Sequence, residues 1–185
     1  MNFLCPGQVL LIGRSALLHA DLCLSILVEG GPDKDHQSSK RGIELMGKEK
    51  LLRFIGSDDV EVDELPWGPH DWLVRPGMAA AEGLLLVRVR MPAGKAHQFH
   101  RHLELEEIIY VISGTAEQWV EEECRLLGPG EAAHIPKNVV HGTYNNSAEP
   151  LVFLAILSPA HFDGPALIDV CEEEPWCDLK KPMSY

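Results

Sequence analysis

The feature that most limits what this chain can fold into is a series of short apolar runs separated by Gly, Pro and Asn, from about Val60 to residue 160. In Leu84–Met91, apolar residues alternate with Arg88 and Arg90, which is typical of a strand with one buried face. No run has the 3.6-residue spacing of a helix. The region therefore predicts an all-β fold, an antiparallel sandwich or barrel. The other predicted strands include Glu107–Ile112, Thr115–Glu121, Ala132–Ile135, Val139–Asn145 and Leu151–Leu157.

Length and composition are those of one globular domain with extensions. The chain has 185 residues, of which 45% are hydrophobic and 24% charged. We expect the barrel to span residues 56–160 and residues 161–185 to form a tail that packs on it, with Trp176 covering a barrel edge. Residues 1–45 are expected to be an irregular N-terminal extension, unstructured or not native.

The extension contains an apolar stretch, Val9–Leu27, that invites a membrane or signal-peptide interpretation. Arg14, His19 and Asp21 interrupt it, so its longest uncharged run is too short for the roughly 20 residues that span a bilayer. It also lacks a preceding positive residue and a clear cleavage site. We therefore expect neither export nor membrane insertion, and one hypothesis is that Met46 is the true start.

Charge and cysteine content limit partners and location. The net charge of −12 argues against a nucleic-acid backbone or an anionic membrane as partner. The five cysteines have no metal-ligand spacing. Cys171 and Cys177 flank an acidic run and are candidates for a disulfide, but unpaired thiols are favoured. Unpaired thiols predict a reducing compartment, and so a cytoplasmic protein.

Histidines and one carboxylate cluster in the middle of the predicted barrel. His97, His100 and His102 fall within six residues, and Glu107 follows shortly after. Side chains two residues apart on a strand face the same side, so His100 and His102 are expected to point together. Glu107 opens the next strand, and His141 lies on a later strand that a barrel returns to the same interior.

Three imidazoles and one carboxylate suit iron, manganese, nickel, zinc or copper. We therefore predict one bound divalent metal ion, whose identity the residues leave open. Four protein ligands leave positions free on a metal that prefers five or six, which is typical of a working site more than of a structural one.

Two motifs resemble those of the cupin superfamily, and of its small single-domain members in particular. The first is Gly94-(x5)-His100-x-His102-(x4)-Glu107-(x6)-Gly114. The second is Gly130-(x5)-Pro136-(x4)-His141-(x3)-Asn145. The resemblance covers roughly residues 60–160 and implies a double-stranded β-helix, a jelly-roll barrel. It also implies that Asn145 is structural and that the metal ligands are His100, His102, Glu107 and His141.

Three positions in or beside the motifs differ from the simple pattern or compete with it. Glu106 competes with Glu107 as the carboxylate ligand, and the spacing to Gly114 favours Glu107. His97 matches no motif position, so a loop histidine at the barrel mouth is favoured over a fifth ligand or a proton shuttle. Asn138 stands where the family usually has Gly, but Asn tolerates left-handed backbone, so the turn should form.

The other histidines and the aromatic residues are assigned simpler roles. Gln118 is a candidate for a hydrogen bond to a ligand or water near the metal. Core or rim positions are expected for Phe99, Tyr110, Trp119 and Tyr144. Surface positions are expected for His19, His36, His70, His134 and His161.

By the resemblance, the expected function is that of a mononuclear divalent-metal enzyme of dioxygenase type that acts on a small molecule. Glu107 or His97 could also move protons in such an enzyme. Two alternatives stay open: a metal-dependent isomerase of a sugar or keto acid, and a small-ligand-binding protein without catalysis. A homodimer formed through an edge strand is a further expectation.

Overall fold

The computed structural model describes residues 51–184, and within them it contains eleven β-strands, one 3-10 turn (Ser57–Asp59) and one short α-helix. The strands are β1 (Glu61–Leu65), β2 (Gly68–Val74), β3 (Leu85–Met91), β4 (Ala96–Arg101), β5 (Glu106–Ser113), β6 (Ala116–Val120), β7 (Glu123–Leu127), β8 (Ala132–Ile135), β9 (His141–Tyr144), β10 (Leu151–Ser158) and β11 (Ile168–Asp169), and the helix is α1 (Trp176–Leu179).

The strands form two antiparallel sheets. One has six strands in the order β1-β2-β3-β10-β5-β8, and the other has five in the order β11-β4-β9-β6-β7. Neighbours that are distant in sequence, such as β3 and β10, pair throughout their length. The chain thus passes repeatedly between the two sheets, and the prediction of an all-β barrel is confirmed.

The barrel interior is lined by alternate residues of its strands. Along β3 and β10, every second side chain is buried, which explains the alternation seen in the sequence. A fully buried Val, Leu, Ile, Phe or Met contributes about 1.5–3 kcal/mol to folding. The interior cluster includes Val87, Val89, Met91, Ile109, Val111, Ile135, Leu151 and Phe153.

A second apolar cluster lies between the five-stranded sheet and the C-terminal segment. Phe99 of β4 is fully buried and contacts the ring of Trp176 at 5.3 Å between centroids. Gln98 holds the end of the tail, since its Nε2 donates to the Met183 carbonyl at 2.9 Å and its Oε1 accepts from the Met183 N–H at 2.6 Å. Trp176 therefore covers part of a sheet outside the barrel interior.

Asn138 and Gly114 are two of the turn positions with left-handed backbone, which few residues adopt. Asn138 has φ of 62°, as expected for a position usually occupied by Gly, and its N–H donates to the His102 carbonyl at 2.7 Å. Gly114 has φ of 82°, and a Cβ there would lie 2.5 Å from the Pro150 carbonyl oxygen. Both turns need these residues to bring the motif segments together.

The remaining predictions outside the site have mixed outcomes. Cys171 and Cys177 are free thiols and do not form the candidate disulfide. Within residues 51–184, no helix has the length and apolar character needed to cross a membrane. The predictions for residues 1–45, including His19 and His36, and for Met46 lie outside the described residues.

Candidate metal centre

Four side chains from both sheets meet inside the barrel. His100 belongs to β4 and pairs directly with His141 at the start of β9, while His102 follows the end of β4. Glu107 comes from β5 in the opposite sheet. The exposed fractions are 2% for His100, 7% for His102, 5% for Glu107 and 1% for His141. The cluster is therefore shielded from bulk water.

The four residues can share one ion. One ligand atom from each of them lies within 4.8 Å of all the others. Oε2 of Glu107 is 2.9 Å from Nε2 of His141 and 3.2 Å from Nε2 of His102. Nε2 of His100 is buried and has no hydrogen-bond partner among the described residues. The cluster could hold one metal ion.

Backbone carbonyls on the side away from the cluster fix the orientation of the three imidazoles. In each ring, Nδ1 lies at hydrogen-bond distance from a backbone carbonyl, which can only accept, so Nδ1 must donate its N–H. Nε2 is then the atom that presents a lone pair to the cluster. The carbonyl partners are Gln98 for His100 at 2.7 Å, Ala166 for His102 at 2.6 Å and Val139 for His141 at 3.0 Å.

Lone pairs and a carboxylate that face one point repel each other unless a cation lies between them. A proton can serve, and a metal ion can replace it, which makes metal binding dependent on pH. Burial raises the pKa of Glu107, but its contacts with the His102 and His141 rings lower it more, so the net pKa is well below its usual range. Burial lowers the pKa of His100 and keeps that imidazole neutral. The donor set fits a divalent metal ion.

The neighbouring acidic and structural residues take separate positions. Glu106 points outward and lies 3.4 Å from the exposed His134, so Glu107 is the carboxylate at the cluster. Asn145 is fully buried and its Nδ2 donates to the Met91 and Glu149 carbonyls, which is a structural role.

His97 does not occupy the loop position expected for it. It lies in β4, where the register against β9 shifts between His97 and His100, so residues three apart both face the interior. Its ring stacks on that of His100 at 3.7 Å and 22°, and on that of Trp67 at 4.4 Å and 9°. Burial lowers the pKa of His97 well below its usual value.

His70 was expected on the surface, and this is wrong. Its ring is half-buried beside Trp67, whose Nε1 donates to His70 Nε2 at 3.4 Å. Nδ1 of His70 donates to the Gly68 carbonyl at 3.1 Å. Neither Trp67 nor His70 falls in a motif, and the only sequence signal for them is a Trp and a His close together before β3.

A row of polar side chains continues from His97 across the interior of the five-stranded sheet. His97 pairs with Thr143, and Thr143 pairs with Gln118. Thr143 and Gln118 are each 2% exposed, and the Thr143 hydroxyl donates to Gln118 Oε1 at 2.7 Å. This row lies next to the row that contains His100 and His141.

Comparisons with known proteins agree with the fold and the motifs. A family model described as a cupin domain matches residues 87–157. The pectin degradation protein KdgF of Dickeya dadantii (strain 3937) is 31% identical over 102 residues, which cover 55% of this chain and 92% of that protein.

Solved structures resemble the barrel. KdgF from Halomonas sp. has a TM-score of 0.50 and 27% identity, covering 57% of this chain and 94% of its own. A protein with a double-stranded β-helix domain from Klebsiella pneumoniae subsp. pneumoniae has a TM-score of 0.51 and 19% identity, covering 63% and 96%. The predicted jelly-roll, or double-stranded β-helix, fold is confirmed.

Proposed function

The chain belongs to the cupin superfamily, and we propose that it is a mononuclear divalent-metal enzyme that acts on a small, oxygen-rich sugar acid. The proposed ligands are His100, His102, Glu107 and His141. The substrate class is supported by the likeness to a pectin degradation protein, because pectin is a polymer of sugar acids. Fold likeness alone would not support it.

One observation supports the metal more than any other. Three Nε2 lone pairs and one carboxylate oxygen converge within 4.8 Å, while every Nδ1 of the three imidazoles is turned to a backbone carbonyl. A packed core would not need three rings held in this way. When bound there, a divalent metal supplies Lewis acidity that polarises a carbonyl or hydroxyl oxygen of the substrate.

The residues around the cluster have separate tasks in this proposal. The apolar interior, with Val111 and Phe153 about 0–2% exposed, excludes water from the reacting atoms. For proton movement, His97 is favoured over Glu107. Glu107 Oε2 already contacts two imidazoles, whereas Nε2 of His97 has no hydrogen-bond partner among the described residues.

The direct test begins with protein purified without a histidine tag or added metal. Elemental analysis by inductively coupled plasma mass spectrometry should find about one divalent ion per chain. The loaded protein is then incubated with D-galacturonate and related uronic acids, with products followed by NMR and dissolved oxygen by electrode. Isomerised or ring-opened product without oxygen uptake supports the proposal.

The same experiment separates the alternatives. Oxygen uptake coupled to substrate loss would identify a dioxygenase, for which iron or copper in this donor set is suited. Ligand binding without turnover would identify a binding protein. Material that stays metal-free after incubation with iron, manganese, nickel, zinc or copper would reject the metal-enzyme proposal altogether.

Substitution of a proposed ligand tests the site itself. His141→Ala should reduce bound metal at least about tenfold while the barrel stays folded, because the ring contributes more to the ion than to packing. His134→Ala is the matched control, since His134 is 59% exposed on the outer side of β8. Equal metal content in the two variants would remove His141 from the site.

Assembly and location complete the proposal. We place the protein in the cytoplasm as a homodimer with a small-molecule substrate and without nucleic-acid or membrane partners. The dimer is supported by apolar side chains on the outer face of β5, where Ile108, Tyr110 and Ile112 are 39–44% exposed. Light scattering on a sizing column gives the mass in solution and decides between dimer and monomer.

A further inference from the structure

A stack of three flat rings leads to the proposed metal centre from one side. Trp67 lies against His97 with the two planes 9° apart, and His97 lies against His100 with the planes 22° apart. Contacts of this kind hold a ring more tightly than ordinary packing does. His97 is therefore fixed beside His100, a proposed metal ligand, but is not itself one of the four residues of the metal cluster.

The outer ring of the stack is itself held in place. The indole N–H of Trp67 donates to His70, and His70 donates in turn to the Gly68 carbonyl. Neither of these hydrogen bonds involves His97. The arrangement fixes the plane of the His97 ring and does not satisfy its Nε2.

Nε2 of His97 is buried and has no hydrogen-bond partner among residues 51–184. A buried polar atom left in this way destabilises the folded chain, so native proteins seldom keep one without a use. Its neighbours in the interior row differ, because Thr143 and Gln118 bond to each other and Gln118 Nε2 also donates to the Trp119 carbonyl. Of these three side chains, only His97 has a buried polar atom without a hydrogen-bond partner.

We propose that His97 is a ligand-contacting residue whose Nε2 forms a hydrogen bond with a molecule bound at the metal centre. The inference rests on the proposed function and narrows its substrate class. The preferred molecule has oxygen atoms on neighbouring carbons, as a hydroxy acid does. One oxygen faces the four clustered residues, and the next faces His97. Trp67 is a positioning residue that acts through His97.

The test uses the full chain loaded with Co²⁺, whose visible absorption changes when its ligands change. Azide and D-galacturonate are the two probes. His97→Phe keeps a flat ring between Trp67 and His100 but removes both ring nitrogens, and His97→Gln keeps a hydrogen-bonding group. His134→Phe is the matched control at an exposed position.

We expect His97→Phe to bind one Co²⁺ per chain with an unchanged spectrum, and to bind both probes about tenfold more weakly than the wild type, as loss of one hydrogen bond predicts. His97→Gln should recover part of the affinity, and His134→Phe should match the wild type. A purely structural role would not produce the rescue by Gln.

Two results would overturn the inference. One is wild-type affinity of His97→Phe for both probes, and the other is loss of Co²⁺ in that variant, which would make His97 a metal ligand. Should His97→Phe fail to fold, Trp67→Phe decides instead: azide must bind more weakly with Co²⁺ retained, and unchanged binding overturns the inference.

The probes also separate this inference from the proposed function. Weaker azide binding by His97→Phe, with no galacturonate binding by any form of the protein, supports the role of His97 and rejects the sugar-acid substrate. A wild-type Co²⁺ spectrum that neither probe alters means that the centre has no open position, and this overturns both.

Discussion

Asp71 and Glu107 are two of the buried carboxylates of this protein, and their partners make them chemically different. Asp71 on β2 is neutralised by Arg88 and Arg90, with Nε of Arg88 at 2.8 Å and Nη2 of Arg90 at 2.7 Å from its oxygens. Burial raises the pKa of Asp71, but the two guanidinium groups lower it more, and the net pKa is below its usual value. A guanidinium is always charged, so this ion pair is complete.

Glu107 is surrounded by imidazoles, which are charged only if they take up a proton. Its site therefore stays complete only with a proton or a metal ion between the groups, and it can exchange one for the other. A cavity of about 460 Å³ adjoins Asp71, Arg88 and Arg90, away from the four clustered residues. What distinguishes Glu107 as the carboxylate suited to function is that its partners are imidazoles and not guanidinium groups. Burial and cavity volume do not make this distinction.

The largest expected effect on stability is at Asp71, which is paired with Arg88 and Arg90. Asp71→Ala should lower the free energy of unfolding by about 2 kcal/mol, because the buried carboxylate loses its hydrogen bonds to two arginines that are themselves partly exposed. Bound metal per chain should not change. Urea denaturation and metal analysis measure the two quantities. Loss of metal in this variant would show that the two carboxylates are coupled and would break the comparison.

Glu107→Gln should give the reverse result. Metal affinity should fall more than about 100-fold, since replacing a ligand costs at least as much as disturbing its supporting shell. The free energy of unfolding without metal should change by less than about 1 kcal/mol, because the amide removes a buried charge and can still accept a hydrogen bond. Chelator competition gives the affinity, and retained affinity would contradict the proposed ligand set.

Acid should remove the contribution of Asp71. Because its pKa is lower in the folded chain than the ordinary 3.8, the unfolded chain takes up the proton first as the pH falls. The stability from Asp71 is thus present above pH 3.8 and is lost as the pH falls through the folded pKa. The difference in unfolding free energy between wild type and Asp71→Asn should be constant above about pH 5 and should fall toward zero below pH 3.8. A gap that persists in stronger acid would exclude ionisation as its source.

The smallest effect is expected at an exposed pair. Glu123 and Arg125 are only 2.6 Å apart, but their side chains are 66% and 70% exposed. Glu123→Ala should therefore change the free energy of unfolding by less than about 0.5 kcal/mol. Thermal denaturation beside Asp71→Ala measures it. A loss as large as that of Asp71→Ala would show that burial does not set the scale.

The four clustered residues could be predicted because their spacing is local. His100 and His102 follow the alternation of one strand, and Glu107 and His141 are identified by short motifs around them. Asp71 could not be paired with Arg88 and Arg90 in advance, because those contacts depend on the register between β2 and β3.

His97 was placed wrongly for a physical reason. The loop was predicted because His97 matches no motif position, and regular alternation, which turns residues three apart to opposite faces, gives no reason to place His97 beside His100. The register shift in β4 adds the residue that brings both inside. Such irregularities depend on the partner strand, and the sequence of β4 gives no sign of one. The roles of Trp67 and His70 were missed for the same reason, since they depend on where His97 points.

The hydrogen bond from His102 to the Ala166 carbonyl links the cluster to the C-terminal segment, which also contains Trp176. An ion held by His102 would therefore be connected through this ring to the backbone of that segment. The indole of Trp176 lies against Phe99, one residue from His100, so its fluorescence should serve as a built-in gauge of occupancy.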